Sequence, residues 1–282
     1  MNKEIDTASK IGFMQGRLSP IIDSKIQIFP KNFWREEYVK SDYVKIKKIE
    51  WTLDYETFNY NPILSKKGRA EIFSLNKEHS ITVPSLTCDY LMQKPFWKMI
   101  SSEVNQVKKN FLNIIDACIE LNIKIIVVPL VDNGSIENKN EEINLIKYFD
   151  EIKNILTENN IKIAFESDYP PNKLGEFINK FDEKIGINFD MGNSASLGFD
   201  PENELDILAP KIMNVHVKDR KFKGGTVPLG EGNCDFNTVF SNLRKIQYDG
   251  NYILQTARSK NGKHVELISQ YREKILKWIN NE

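Results

Sequence analysis

Eight short apolar runs, rich in β-branched residues, recur along the chain and are separated by turn residues and amphipathic stretches. The runs are Ile11–Met14, Ile46–Trp51, Ile81–Thr87, Ile123–Leu130, Ile161–Phe165, Ile185–Phe189, Ile212–Val217 and Tyr252–Leu254. Runs of this kind are typical of strands buried on both faces of a parallel sheet. Eight strand–helix units predict one α/β domain over residues 1–282, folded as a closed (β/α)8 barrel.

The stretches between the runs carry helical periodicity. In the longest of them, apolar residues step by three and four positions, at Val104, Val107, Phe111, Ile114, Cys118 and Leu121. A stripe with this spacing predicts an amphipathic helix that packs on the sheet. An open, doubly wound sheet is the alternative topology, but no GxGxxG follows the first run to support a dinucleotide site.

The charge balance and the cysteine content limit which partners and which cellular compartment we expect for this protein. The chain has 39 Lys and Arg against 39 Asp and Glu, whereas nucleic-acid-binding proteins normally carry a basic excess, so we expect no nucleic-acid partner. Three widely spaced cysteines without a CxxC argue against a disulfide framework or a thiolate zinc finger. Because Met1–Lys10 is polar and no apolar run could span a bilayer, we expect a cytoplasmic protein without a signal peptide or a membrane partner.

Polar side chains stand where a (β/α)8 barrel has its active site, at the carboxyl ends of the strands. Each of the last four runs ends at or beside one of them: Glu166, Asp190, His216 and Gln255. One such residue would more often cap a helix or lie in a solvated loop, so the argument depends on four in register. Three oxygens and one nitrogen form a ligand set that suits Mn²⁺, Mg²⁺, Co²⁺ or Zn²⁺.

Several stretches around these residues are similar to a known family: Ile11–Ser19, Ile49–Trp51, Phe165–Ser167, Asn188–Asn193, Asn214–Asp219 and Pro228–Gly232. Through them the chain resembles the xylose isomerase-like superfamily of TIM barrels, the sugar phosphate isomerase/epimerase group that also contains endonuclease-IV-type proteins. The resemblance implies a carbohydrate substrate, a possible homodimer, and a metal held by Glu166, Asp190, His216 and a glutamate on the eighth strand. Gln255 stands at that last place, and its amide oxygen can bind a cation but cannot act as a base.

Other polar residues are predicted to complete the site. We expect Glu166 to act as base and metal ligand together, because one positioned carboxylate can carry the proton next to a sugar carbonyl. Lys218 lies two residues after His216, hence on the same strand face, and is predicted to be catalytic as a second proton carrier or as a substrate anchor. Glu50 and Asp168 are alternative proton carriers. The predicted substrate contacts are Gln15, Arg17, Glu50, Asn193 and Arg258, and Arg220 could also bind an anionic group.

Three other functions compete with a metal-dependent isomerase or epimerase. A dehydratase would use the same enediolate to expel a β-hydroxyl group, and it needs only one base. Phosphodiester cleavage of the endonuclease IV kind is disfavoured. The resemblance to that group would imply a three-metal site rich in histidines, whereas only His216 lies at a strand end here. A non-catalytic sugar-binding barrel stays open because of Gln255.

Overall fold

Eight parallel strands form a closed barrel in the computed structural model, which describes residues 7–100 and 102–281. Seven of them are β1 (Ile11–Met14), β2 (Ile49–Thr52), β3 (Ser85–Thr87), β4 (Ile125–Leu130), β5 (Lys162–Ser167), β6 (Ile185–Asp190) and β7 (Ile212–Val217). An antiparallel ribbon of β8 (Asp219–Arg220) and β9 (Thr226–Val227) forms a separate sheet, and β10 (Tyr252–Leu254) is the eighth barrel strand. Because β10 pairs with both β1 and β7, the barrel closes, and the predicted (β/α)8 fold is confirmed.

Ten α-helices connect and cover the strands within the described residues. They are α1 (Trp34–Val44), α2 (Lys66–Glu78), α3 (Asp89–Gln93), α4 (Glu103–Glu120), α5 (Lys139–Glu158), α6 (Pro171–Ile178), α7 (Met191–Leu197), α8 (Pro201–Leu208), α9 (Phe236–Lys245) and α10 (His264–Asn280). The stripe from Val104 to Leu121 coincides with α4, and its buried residues face the barrel as expected. Helical periodicity in the sequence does not predict the short helices α3 and α7, because neither has two full turns.

Alternation along the strands separates two layers of side chains. Outside the barrel, the Phe165 ring of β5 packs against Phe149 of α5 and Phe177 of α6, with ring centroids 5.2 Å and 5.8 Å away. Inside the barrel, the neighbouring position Glu166 belongs to a set of buried polar residues. The apolar core therefore lies between strands and helices, and the barrel interior is left for polar chemistry.

The strand register brings the polar residues to one level of the barrel. Asp190 is aligned with His216 between β6 and β7, and Glu166 with Pro129 between β4 and β5. Gln255 directly follows β10. Because all barrel strands are parallel, these positions share the carboxyl-end mouth.

Three structural observations concern membrane-spanning helices, the N-terminus and the cysteines. None of the helices in residues 7–100 and 102–281 is both long and apolar enough to cross a membrane. The prediction that Met1–Lys10 carries no signal peptide falls largely on residues 1–6, which lie outside the described residues. Cys88, Cys118 and Cys234 are free cysteines.

Candidate active site

Glu166, Asp190 and His216 meet at the mouth of the barrel. One ligand atom from each lies within 4.8 Å of the others, so the three could hold a metal ion. On His216 the atom facing this cluster is Nδ1, which lies 3.1 Å from Glu166 Oε2 and 3.8 Å from Asp190 Oδ2. The convergence expected from three separate strand ends is therefore present.

Glu50 lies behind the His216 ring and fixes its orientation. Its Oε1 is 2.7 Å from His216 Nε2, on the side of the imidazole away from the carboxylate cluster. Carboxylate oxygens of Glu50 also accept hydrogen bonds from Ser85, Thr87 and Asn214, at 2.6 Å, 2.7 Å and 2.9 Å. Because an ionised carboxylate can only accept, Nε2 must carry a proton, and Nδ1 is the nitrogen available to a ligand.

Charges within the buried cluster compensate one another. Burial opposes ionisation of Asp190, but attraction by Lys218 and His216 lowers its pKa to about 2. Burial alone would lower the pKa of His216, but the negative charge of Glu50 and the neighbouring carboxylates of Asp190 and Glu166 raise that pKa well above its usual value. The cluster thus holds fixed negative charge and attracts a cation, whether a proton or a metal.

Two asparagines orient the Glu166 carboxylate. Asn188 Nδ2 donates to Oε2 at 2.7 Å, and Asn193 Nδ2 donates to Oε1 at 2.6 Å. Asn188 also accepts a hydrogen bond from Asn214 at 2.9 Å. Buried polar groups satisfied in this way rigidify a site, so the carboxylate is held in one orientation.

A cleft of about 480 Å³ opens above the cluster. Glu166 lines it, together with two predicted site residues that directly follow β7 and β10, Lys218 and Gln255. Its other polar lining includes Gln27, Asp89, Gln93, Asp132, Asp168, Asn193, Ser196, Arg220 and Thr226. The volume and the polar walls suit a small hydroxylated molecule.

Lys218 bridges the cluster and Gln255. Its Nζ lies 2.6 Å from Asp190 Oδ2 and donates to Gln255 Oε1 at 2.8 Å. The next residue, Asp219, does not pair with Lys218 but accepts backbone N–H bonds from Gly230 and Gly232, both at 2.8 Å. The predicted ligand atom of Gln255 is therefore engaged with an ammonium group.

Among the five predicted substrate contacts, Asn193 lines the cleft and the other four do not. Glu50 is fully buried under His216, and the Gln15 side chain accepts from the backbone N–H of Thr52 at 3.2 Å. Arg17 donates to the carbonyl of Ile26 at 3.2 Å. Arg258 donates to the carbonyl of Ser19. Ile26 and Gln27, in the irregular segment after β1, pack against Arg17, which the sequence did not anticipate because that segment has no regular pattern.

Three residues with evident roles were not singled out from the sequence. Asn188 and Asn214 precede Asp190 and His216 by two positions, so strand alternation could have placed them on the same inward face. Gln27 comes from the irregular segment after β1, where nothing in the sequence indicates a position in the cleft.

Comparisons with known proteins agree with this geometry. The family model described as "Xylose isomerase-like TIM barrel" matches residues 49–280. The Haemophilus influenzae protein named "Putative L-ribulose-5-phosphate 3-epimerase SgbU" is 26% identical over 271 residues, which cover 89% of this chain and 92% of that protein.

Solved structures show the same barrel. A D-tagatose 3-epimerase-like protein is 18% identical, with a TM-score of 0.71 over 96% of this chain and 98% of that one. The IolI protein with a binding zinc atom is 17% identical, with a TM-score of 0.73 and the same coverage. At these identities the likeness shows the fold alone. Because the family model spans most of the sequence, from β2 to α10, the chain belongs to the xylose isomerase-like TIM barrel family.

Proposed function

We propose that this protein is a divalent-metal-dependent isomerase or epimerase of a sugar, sugar phosphate or sugar acid that acts by proton transfer through an enediolate. The observation that carries the proposal is the convergence of Glu166, Asp190 and His216 at the base of the cleft. The relatives named as sugar epimerases support the same class of reaction.

The donor set fits a divalent cation. Two carboxylates and one imidazole nitrogen are ligands that Mn²⁺, Co²⁺ and Zn²⁺ accept. Asp190 Oδ2 is buried and accepts no well-aligned hydrogen bond, although Lys218 Nζ lies close to it. The Glu50–His216 contact directs Nδ1 toward the same point. When bound, a cation would stabilise the negative charge that develops on the substrate oxygens.

Side chains around Glu166 are suited to hold the substrate and to move a proton. The two asparagine amides leave Glu166 lone pairs free to take a proton from the carbon beside the carbonyl group. Lys218 Nζ donates to Gln255 and forms an ion pair with Asp190, and an N–H that neither residue accepts can contact a substrate oxygen.

Arg220 is the candidate anchor for a phosphate or carboxylate group of the substrate. It lines the cleft, and its guanidinium is held by the carbonyl of Gly224 at 3.0 Å and by Asn193 Oδ1 at 2.8 Å. Two other predicted anion-binding residues, Arg17 and Arg258, do not line the cleft. A phosphorylated substrate would therefore bind with its phosphate next to the β8–β9 ribbon.

The proposal is tested by metal analysis combined with a substrate panel. Protein stripped with a chelator is reloaded with Mn²⁺, Mg²⁺, Co²⁺ or Zn²⁺ and incubated with free ketopentoses, ketohexoses and their phosphates, with products identified by NMR. We expect Glu166→Gln to lower turnover at least about 100-fold, because it removes both a ligand and the base. Glu176→Gln, an exposed position on α6, is the matched control. Wild-type protein that binds no divalent metal and converts no sugar would refute the proposal.

A dehydratase is the second candidate, and Gln255 is the observation that favours it. With an amide after the eighth strand, the two-glutamate arrangement implied by the family resemblance is incomplete, and elimination needs only one base. The same panel separates the two reactions, because a dehydratase forms a product that lacks the elements of water, whereas an epimerase returns an isomer.

A further inference from the structure

A chain of hydrogen bonds runs along the cleft wall from Lys218 to Asp89. Lys218 Nζ donates to Gln255 Oε1 at 2.8 Å, and Gln255 Nε2 donates to Gln27 Oε1 at 3.0 Å. Gln27 Nε2 in turn donates to Asp89 Oδ2. All four side chains line the cleft that also contains Glu166. We refer to these four residues as the Lys218–Asp89 chain.

The direction of each bond in the Lys218–Asp89 chain is dictated by its ends. An ammonium group can only donate, so Gln255 must turn its oxygen toward Lys218 and its NH₂ group toward Gln27. Gln27 then receives that bond on its own oxygen and turns its NH₂ group toward Asp89. A glutamate at position 255 would have no N–H to donate and would place a second negative charge beside Gln27. The amide at 255 thus performs a task that a carboxylate could not.

The position and the burial of Asp89 suit proton transfer. It is only 6% exposed, and Gln27 is its sole hydrogen-bond partner among the residues that the structure describes, with no ion pair to Asp89 in that set. Burial raises its pKa to about 7, the Gln27 hydrogen bond opposes this rise, and the negative charge of Glu166 adds to it. The charged groups that face Asp89 are Arg17, Asp54, Glu166 and His216. Near neutral pH the carboxyl group can therefore both release and accept a proton.

We propose that Asp89 is a catalytic acid–base residue of this enzyme, that it acts as the partner of Glu166, and that Gln27 and Gln255 position it. The inference rests on the proposed sugar epimerase function. It assigns to the first residue of α3, directly after β3, the second proton carrier that is missing after β10, and it makes Gln255 a positioning residue.

The proposed proton transfers are balanced. Glu166 takes the proton from the carbon beside the carbonyl group, and the C–H electron pair moves toward the carbonyl oxygen to form the enediolate. Protonated Asp89 then gives its O–H proton to the same carbon from the other face, and a new C–H bond forms. This leaves Asp89 ionised and Glu166 protonated, and proton exchange with water restores the starting state. In the reverse direction the two residues exchange roles.

The test measures hydrogen exchange and inversion separately. Metal-loaded wild-type protein and Asp89→Asn are incubated in D₂O with D-fructose, D-tagatose and L-ribulose 5-phosphate, and ¹H NMR follows loss of the substrate C–H signal and appearance of the epimer. Asparagine keeps the size of Asp89 and an acceptor for Gln27 but carries no transferable proton. We expect epimer formation to fall at least about 100-fold, while exchange without inversion, which needs only Glu166, stays within about tenfold of wild type.

Two further variants keep the result interpretable. Asp116→Asn removes an exposed carboxylate on α4, outside the cleft and outside the Lys218–Asp89 chain, and we expect it to change epimer formation less than about tenfold. Gln27→Met removes the hydrogen bond to Asp89 without touching either proton carrier. It should raise the ratio of exchange to inversion, an effect that simple loss of stability would not produce. Mn²⁺ affinity, measured by calorimetry, should be unchanged in Asp89→Asn.

Several outcomes would overturn the inference while leaving the proposed function intact. One is an Asp89→Asn protein that forms the epimer within about tenfold of wild type. Others are an equal loss of exchange and inversion with Mn²⁺ affinity retained, or a wild-type enzyme that only interconverts aldose and ketose. If the wild-type protein neither exchanges nor converts any sugar, the proposed function fails first and this inference falls with it.

Discussion

The Glu50→Gln substitution probes how the buried barrel interior orients His216 in the proposed metal site. The carboxylate of Glu50 receives four hydrogen bonds, two at each oxygen. Oε1 faces His216 Nε2 and the Thr87 hydroxyl, and Oε2 faces Asn214 Nδ2 and the Ser85 hydroxyl. The hydroxyl groups can rotate and accept a hydrogen bond instead, but the two nitrogen donors are less adaptable.

Glutamine must place its NH₂ group at one of these two oxygen positions. Opposite His216, it forces the tautomer with the proton on Nδ1, which removes the nitrogen that faces Glu166 and Asp190. Opposite Asn214, it sets two NH₂ groups against each other. In both cases Glu50 no longer supplies a negative charge behind the imidazole. Loss of such a supporting carboxylate typically weakens metal binding 10- to 100-fold, about 1.4–2.7 kcal/mol.

Calorimetric titration of chelator-stripped protein with Mn²⁺ and with Zn²⁺ measures this effect. Glu204→Gln is the matched control, because Glu204 is also a buried glutamate, hydrogen-bonded to Ser194 at 2.9 Å but to none of the three candidate ligands. Circular dichroism verifies that both variants fold. A folded Glu50→Gln protein with wild-type metal affinity, or a control that weakens binding equally, would refute the reasoning.

Two further substitutions test the folded scaffold. Burial raises the pKa of Glu204 to about 7, so the folded protein keeps a proton that the unfolded chain releases above about pH 4.5. The contribution of Glu204 to wild-type stability therefore falls as the pH rises from 4.5 to 7, and Glu204→Gln should gain up to about 3 kcal/mol over wild type at pH 8 but little at pH 4, as measured by denaturant unfolding. Gly232→Ala should destabilise the loop after the ribbon by about 1–3 kcal/mol, because a Cβ there would collide with Asp219 and lie 2.6 Å from the Arg220 carbonyl oxygen. Gly225→Ala, which meets nothing within 4 Å, is its control, and equal losses in both variants would contradict this explanation.

The barrel and the metal-ligand candidates follow from local rules that can be applied directly to the amino-acid sequence. Runs of β-branched residues predict buried parallel strands because such strands are apolar on both faces. Once eight strands are assigned, parallel direction places every strand end at one mouth, so Glu166, Asp190 and His216 could be expected to converge. Each step uses only neighbours in sequence and a topology with few alternatives.

The remaining contacts depend on which segments cover the mouth. Arg17 and Gln15 follow β1 and were expected in the cleft, but neither lines it, and Arg17 is held instead by Ile26 and Gln27 of the irregular segment after β1. The same segment delivers Gln27 between Gln255 and Asp89, two residues that are far apart along the chain. No periodic pattern in the sequence predicts these contacts, because they arise from side-chain packing between elements that are distant along the chain. Sequence alone determined the barrel and three candidate ligands, whereas only the tertiary structure decided which polar groups share hydrogen bonds around them.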